Sequence, residues 1–495
     1  MLKNQIDTYD YNNSGNHKRR FLKMLTTVGL CLALLTVPLT SCKVHVNDSK
    51  AARTVSSDLN DKLSAYRTDI LDSSKAMSSD RGIRKYLLRW ADDRGVNYTV
   101  DENGNVIMTV DAGSGYENSD PTVLICPYDS SQLSNCVDPM AMALYAVKNN
   151  NDTGKLIVIF TKENNGEYVG AKSLSKGLFS DDSKVIVLDG SEDSLFALSS
   201  AYGVSFRFTQ NVQYTNPENN VAYKITMKGL GTTEDQSSNK NPILRLCSLL
   251  RSLKSSNINY ELASFDSGKG GILSADSASM TIVISQDRED RFIQKMDSAT
   301  TRFNEDKAKL HEGAVYSYEK VKMPESVLTQ DSAENFVNFM KTLPHGTFYR
   351  DPNTNDVVAR TSINSVKIKD EELTINAVGF SLDQAQIKEI IHTEKAFCEL
   401  SDVKYEKTGS IPNWIETKNT DGTELSQEIA RCYKNYSGKT LSYAQPLATS
   451  AAGYIKALNP KCEIITMTVN QSVLKNCTGT LIEYLILNLP ENSKN

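Results

Sequence analysis

Hydrophobic runs alternate with amphipathic stretches between residues 123 and 189. Helical patterns follow the first two of these runs, beginning at Pro139 and at Gly166. This order predicts a parallel sheet with helices on both faces, and ligands of such open sheets bind beyond the carboxyl ends of the strands. Three runs are apolar at almost every position, as is typical of strands buried on both faces: Val123–Cys126, Leu156–Phe160 and Val185–Leu188.

Two helices and a hairpin are predicted ahead of this sheet. The first helix begins near Leu59, and the second carries Trp90 in its apolar face. Residues 97–110 alternate on either side of a turn-forming segment, which predicts a hairpin. The chain over 58–203 is therefore assigned to an α/β domain.

The pattern changes after residue 203. Alternating segments such as Ala222–Met227 and Leu373–Val378 predict antiparallel strands, and a helix is predicted over Asp383–Phe397. Helix and strand patterns typical of the first domain resume at about Tyr405. We therefore predict an α/β core in two pieces, 58–203 and 405–495, interrupted by an inserted α+β lid over 204–404.

Residues 1–41 have the features of a secretory signal. Basic residues precede an uncharged run of 17 residues from Met24 to Thr40. The tetrapeptide Leu39–Cys42 is similar to the lipobox of bacterial lipoproteins, whose cysteine becomes the lipidated first residue, so Cys42 is the expected lipidation site. The alternatives are a transmembrane anchor, for which this run is short, and a twin-arginine export signal, whose register is imperfect.

Residues 42–57 are small and polar, which suits a flexible tether. The expected location is the cell envelope, lipid-anchored on the outer face of the cytoplasmic membrane or in the periplasm, with the bacterial membrane as a partner. The formal charge is −5, and the first 41 residues carry five Lys and Arg against two Asp, so the remainder is more acidic still. This balance argues against a nucleic-acid partner.

Seven cysteines follow Cys42, without the spacing of a disulfide framework or of a zinc motif. They are predicted to be buried apolar side chains. Cys462 and Cys477 are the pair that an oxidising compartment could join.

The order of elements and several segments resemble the aminoacyl-histidine dipeptidase, or carnosinase-like, branch of the co-catalytic zinc peptidases. The segments that carry the resemblance are Arg84–Ala91, Glu102–Met108, Leu156–Ala171, Met227–Gly231 and Arg360–Asn364. It covers nearly everything from Leu59 to Leu489. It implies an α/β core with a mixed or parallel central sheet flanked by helices, an inserted α+β lid that can form a homodimer interface, and peptide-bond hydrolysis at two zinc ions.

The resemblance places the first zinc ligands at the end of the first central strand. The family's histidine falls on Pro127, whereas the aspartate that orients it is kept as Asp129. The bridging aspartate falls on Cys136 or, with a slip of two residues, on Asp138. The histidine ligand is thus replaced at this strand end. Whether the bridging aspartate is kept depends on which of Cys136 and Asp138 matches its position.

Further family positions are replaced elsewhere. The pair of glutamates that serve as general base and ligand falls on Asn164 and Asn165, whose amides cannot accept a proton at neutral pH. A later metal carboxylate is kept as Asp189. The lid histidine that contacts substrate falls on Glu234, and a lid arginine falls on Phe380.

The histidine inventory supports the same conclusion without any alignment. The chain has five histidines: His17, His45, His311, His345 and His392. Two lie in the predicted signal and tether and three in the predicted lid, so a histidine-ligated dizinc centre in the core is excluded. Magnesium or manganese could use the oxygen ligands that remain: Asp129, Asp138, Glu163, Glu167 and Asp189.

The sequence therefore predicts a membrane-anchored and catalytically inactive homologue of a dipeptidase. It has no predicted catalytic or metal residue and needs no cofactor. It binds a peptide, an amino acid or a protein partner in a cleft that keeps six family positions: Asp129, Asp138, Asn164, Asn165, Asp189 and Glu234. The alternative is an active metal-dependent dipeptidase or amidohydrolase with a rearranged carboxylate site.

Overall fold

The computed structural model describes residues 58–150, 153–164, 166–190, 196–230, 241–268, 271–306, 314–416 and 422–487. The predicted signal, Cys42 and the tether lie outside these ranges, as do Asn165 and Glu234. Within them, no helix is both long enough and apolar enough to cross a membrane.

The described residues contain the following helices. In chain order they are α1 Leu59–Asp72, α2 Asp80–Arg94, α3 Leu133–Asn149, α4 Val169–Lys172, α5 Pro242–Ser255, α6 Glu289–Asp306, α7 Gln330–Thr342, α8 Gln384–Leu400, α9 Glu424–Ser437, α10 Ala452–Leu458 and α11 Leu474–Leu487. Short 3₁₀ turns occur at Ser74–Met77, Ser130–Gln132, Lys176–Leu178 and Gln286–Arg288.

Within the described ranges the strands form two large sheets and two small ones. They are β1 Tyr98–Val100, β2 Val106–Val110, β3 Thr122–Tyr128, β4 Leu156–Lys162, β5 Lys184–Asp189, β6 Phe196–Ala197, β7 Ser199–Ser200, β8 Tyr202–Asn211, β9 Tyr214–Thr215, β10 Val221–Lys228, β11 Tyr260–Ser267, β12 Ala278–Ile284, β13 Val315–Val321, β14 Val327–Leu328, β15 Gly346–Arg350, β16 Val357–Lys369, β17 Glu372–Ser381, β18 Lys404–Ile411, β19 Trp414–Ile415, β20 Tyr443–Ala444 and β21 Glu463–Thr468.

The first sheet has the order β1-β2-β4-β3-β5-β21-β6-β20. Its central strands β4, β3, β5 and β21 run parallel, whereas β2 pairs with β4 in the antiparallel sense. Alternate residues of β3 enter two different cores, because successive side chains of a strand point to opposite faces. Leu124 packs in the cluster that includes α3 and α11, and Ile125 in the cluster that includes α10. The sheet is therefore mixed, with a parallel centre buried on both faces.

The second sheet is antiparallel and has the order β13-β10-β12-β11-β16-β17-β8-β18, with β15 on β16. Its apolar face packs against α5, α6, α7 and α8 around a cluster that includes Phe208, Leu250, Phe292 and Phe336. The strands of this sheet lie between residues 202 and 411. The small sheets pair β9 with β14 and β7 with β19. The α/β core with an α+β lid is confirmed as a fold class, and the domain boundaries at 203 and 404 stay predictions.

Two helix starts differ from the expectation. The helix expected from Pro139 begins at Leu133, and Pro139 lies inside it. Burial of the whole segment 136–147 between the sheet, α1 and α11 offsets the backbone hydrogen bond that proline cannot donate. The helix expected from Gly166 is the four-residue α4, which follows Tyr168 in a left-handed conformation at φ 53°.

The seven cysteines in the described ranges are buried and free, which confirms their predicted apolar role. The suggested pairing of Cys462 with Cys477 is wrong. The thiol of Cys462 instead donates to the carbonyl oxygen of Asn459, at 3.0 Å.

Candidate functional site

Three acidic side chains lie at the carboxyl ends of neighbouring central strands. Asp129 follows β3, Glu163 follows β4, and Asp189 ends β5. Tyr128 pairs with Lys162, so Asp129 and Glu163 come next on strands about 4.8 Å apart. Charge repulsion from both aspartates acts on Glu163. The three groups therefore form one electrostatic unit, which we call the strand-end carboxyls.

Glu163 is buried without compensation. The residue is 4% exposed, and neither carboxylate oxygen has a hydrogen-bond partner. Burial raises the pKa of Glu163 well above its usual range, and repulsion from the two aspartates adds to the rise. The hydroxyl of Thr161 and the backbone N–H of Tyr168 are near enough to oppose this rise, but not in hydrogen-bonding geometry.

Asp129 is satisfied on one oxygen only. Its Oδ1 accepts hydrogen bonds from the backbone N–H and the hydroxyl of Ser131, at 2.8 and 2.5 Å. These bonds cap the 3₁₀ turn over Ser130–Gln132. Its Oδ2 has no partner, although the residue is 5% exposed. Oδ2 of Asp129 is thus buried beside Glu163 without a hydrogen-bond partner.

Asp189 is held from a distant part of the chain. Burial raises the pKa of Asp189 to about 6, and the nearby Ser450 hydroxyl opposes the rise. Ser450 lies just before α10, and this second piece of the core reaches β5 because β21 pairs with it, Thr468 opposite Asp189. The residue is partly exposed, so the strand-end carboxyls border solvent on this side.

The structure resolves which residue of α3 borders the carboxyls. The sulfur of Cys136 accepts a hydrogen bond from the backbone N–H of Asp129 at 3.4 Å. Asp138 lies two residues further on, about 200° around the helix, and forms a short ion pair with Arg67 of α1. Asp138 is therefore not brought to the strand ends, contrary to the prediction. Burial raises the pKa of the Cys136 thiol to about 12, which keeps it protonated.

The position predicted to replace the general base faces solvent. Asn164 is exposed, and its Nδ2 donates to Oε2 of the exposed Glu167, at 2.9 Å. Neither side chain joins the strand-end carboxyls. The predicted site residues Asn165 and Glu234 lie outside the described residues.

A strand of the second sheet reaches the loop that carries Ser450. Nη2 of Arg360 donates to the carbonyl oxygen of Leu447 at 2.8 Å. The hydroxyl of Tyr168 donates to the carbonyl oxygen of Thr449 at 3.0 Å. The loop over 447–450, which we call the α10 entry loop, is thus contacted by β16, by the segment after β4 and by Asp189.

These residues do not fit a pair of zinc ions. The positions at which the resemblance places ligands or a base hold Pro127, a protonated thiol at Cys136 and an exposed amide at Asn164. His345 and His392 are exposed and lie near or on helices that cover the second sheet. Over the ranges that the structure describes, no group of three or more His, Cys, Asp or Glu side chains could hold a metal ion.

Comparison with known proteins places the fold among dipeptidases. The chain is 22% identical over 430 residues to the cytosol non-specific dipeptidase of Escherichia coli K12, covering 78% of this chain and 86% of that protein. The aminoacylhistidine dipeptidase of Vibrio alginolyticus matches with a TM-score of 0.50 at 17% identity, covering 83% of this chain and 92% of that one. Human carnosine dipeptidase 1 gives a TM-score of 0.46 at 8% identity, covering 90% and 99%.

No protein-family model matches the chain. The predicted resemblance is confirmed at the level of dipeptidase-like sequence and fold, a mixed central sheet with flanking helices and a lid.

Two residues near the site carried little indication in the sequence. Ser450 stands in a run of small residues that is typical of a helix start, and no local pattern connects it to Asp189. Arg360 lies in one of the segments that resemble the family, and this resemblance was the sequence feature that could have pointed to it. Both reach the site through long-range strand pairing, which local patterns do not specify.

Proposed function

We propose that this chain is a catalytically silent homologue of dipeptidases that binds a peptide, an amino acid or a protein partner between core and lid without cleaving it. The observation that carries the proposal is the donor set at the strand ends. The fold is kept, whereas the base position is Asn164, exposed and hydrogen-bonded to Glu167. The bridging position is a protonated thiol, Cys136, in place of a carboxylate.

The loss of hydrolysis follows from elementary chemistry. Peptide hydrolysis by this route needs a metal-activated water and a carboxylate that takes its proton. An amide at Asn164 cannot take that proton, and proline at Pro127 offers no side-chain ligand. The strand-end carboxyls that remain can bind and orient a ligand.

The cellular setting in this proposal comes from the first 57 residues. The apolar run from Met24 and the lipobox-like Leu39–Cys42 support export and lipidation at Cys42. The small polar residues that follow would hold the folded domain near a bacterial membrane in the cell envelope. A homodimer through the lid stays a prediction from the resemblance.

A second candidate function is an active hydrolase with a rearranged oxygen-ligand site. The unpartnered oxygens of Glu163 and Asp129 favour it, because magnesium and manganese bind carboxylate oxygens. The arrangement of the described residues gives it less support, since they do not converge on one ion.

The test is a metal and activity assay on the full-length protein, extracted from membranes in detergent. We expect substoichiometric metal by elemental analysis and no cleavage of a dipeptide panel with added zinc, manganese or magnesium. Asp189→Ala is the matched variant. Two tightly held zinc ions with chelator-sensitive hydrolysis would overturn the proposal, and metal-dependent hydrolysis that Asp189→Ala abolishes would establish the second candidate.

A further inference from the structure

The strand-end carboxyls leave carboxyl oxygens without partners inside the protein. Glu163 and Asp129 are both more than nine-tenths buried, and three of their four carboxylate oxygens lack a hydrogen-bond partner. Burying an ionised carboxylate is costly unless a cation or hydrogen-bond donors compensate it. Native proteins satisfy most buried polar groups, so an unsatisfied pair of this kind indicates a ligand that supplies donors.

The described part of the protein does not supply that cation. No Lys, Arg or His in these ranges forms an ion pair with Asp129, Glu163 or Asp189. Arg360 reaches the neighbouring α10 entry loop and donates to the carbonyl oxygen of Leu447. Ser131 donates to one oxygen of Asp129, and both oxygens of Glu163 stay without a partner.

We propose that these three carboxyls recognise a primary ammonium group, the free amine of an amino acid or peptide. The inference rests on the proposed function and names the chemistry of its ligand. An ammonium carries a positive charge and three N–H donors, which suit the unpartnered oxygens of Glu163 and Asp129. The partly exposed Asp189 provides the side from which the amine enters.

The arrangement of the described side chains favours an ammonium over a bare metal ion. Metal–oxygen distances of about 2.0–2.6 Å require ligands to close tightly around one point. The described side chains do not reach such an arrangement. An ammonium forms charge-assisted N–H···O bonds of about 2.7–2.9 Å, and the unpartnered oxygens of Glu163 and Asp129 can accept them.

The test is calorimetric titration of the full-length protein in detergent after chelator treatment. The probes are L-lysine, L-alanyl-L-alanine and the same compounds acetylated on every amine. We expect saturable binding of at least one free amine, weakened about 10-fold or more by acetylation. Glu163→Gln should weaken it to a similar extent, because a glutamine cannot ionise beside a bound ammonium.

The matched control is Glu167→Gln, which neutralises an exposed glutamate four residues away. It should bind the free amine within about twofold of the unaltered protein. Asp129→Asn provides a second buried variant, and thermal unfolding confirms that each variant is folded. Reduced binding by Asp129→Asn with an unchanged melting curve supports the inference.

The outcomes separate the inference from the function on which it rests. Equal binding of free and acetylated probes, undiminished binding by Glu163→Gln, or no saturable binding of any free amine overturns the ammonium site. Glu163-dependent binding of magnesium or manganese in the absence of amine binding also overturns it, in favour of a metal. Appearance of alanine from the dipeptide overturns the non-cleaving function whatever the amine dependence.

Discussion

Arg360 and Phe380 lie directly opposite each other on the antiparallel strands β16 and β17. The guanidinium carbon of Arg360 lies 5.2 Å from the centroid of the Phe380 ring. The resemblance places an arginine at position 380, and the structure supplies a guanidinium from the neighbouring strand. Arg360 then bonds Leu447 of the α10 entry loop, which connects the second sheet to the first.

This connection predicts an effect of Arg360→Ala on stability. The variant loses a charge-assisted hydrogen bond and a contact with an aromatic face, so we expect a loss of about 1–3 kcal/mol in unfolding free energy. Urea unfolding followed by circular dichroism measures it. The control is Arg350→Ala, which removes a similar bond to the carbonyl oxygen of Asn355 at an exposed loop. Equal losses in the two variants would contradict a special role for Arg360.

Glu394 predicts an unusual pH dependence of stability. The residue is fully buried on α8, and neither carboxylate oxygen has a partner. Burial raises the pKa of Glu394 to about 8. Because this pKa exceeds that of the unfolded chain, the folded state binds the proton more tightly. The proton on Glu394 therefore stabilises the folded state fully below the pKa that this carboxyl has in the unfolded chain. This stabilisation is lost as the pH rises towards 8, the pKa in the folded state.

We expect this carboxyl to lower the unfolding free energy by on the order of 3 kcal/mol between pH 5 and pH 8. Glu394→Gln should remove that part of the pH dependence, as measured by urea unfolding at both pH values. Glu389→Gln, on the exposed side of the same helix, is the control and should behave like the unaltered protein. If the unfolding free energy of Glu394→Gln fell as much between pH 5 and pH 8 as that of the unaltered protein, the prediction would be contradicted.

Asp138 is predicted to act in stability and not in ligand binding. Asp138→Asn leaves Arg67 of the adjacent helix without its counter-charge, at an expected cost of about 2–4 kcal/mol. Combining Arg67→Met with Asp138→Leu should recover much of this loss, since no buried charge is then left unpaired. The affinity of folded Asp138→Asn for a free amine should equal that of the unaltered protein. A weaker amine affinity in folded Asp138→Asn would show that Asp138 takes part in ligand binding.

Lipidation at Cys42 predicts a covalent change that metabolic labelling detects. Cells labelled with a palmitate analogue should incorporate the label into the unaltered protein, and Cys42→Ser should abolish it and leave the signal uncleaved. Cys31→Ser alters the other cysteine of this region, inside the apolar run, and should retain the label. An unlabelled protein that keeps its first 41 residues would favour a transmembrane anchor instead.

Much of the fold could be predicted from the sequence. The apolar runs that became β3, β4 and β5 are continuous because those strands are buried on both faces, and that constraint acts on every residue. The start of α3 was predicted less well, because Pro139 is a local signal for a helix start that tertiary burial overrides. Asp129 and Asp189, which the resemblance identified, lie at strand ends in the structure.

The sequence by itself determined the alternation of strands and helices, the chemistry available at the strand ends and the shortage of histidine. Only the tertiary structure decided how the side chains are used. It turned Asp138 towards Arg67, left Glu163 buried without a partner and brought Ser450 to Asp189. The physical reason is that local periodicity follows from each residue's own burial, whereas helix facing and long-range strand register depend on the packing of the whole chain.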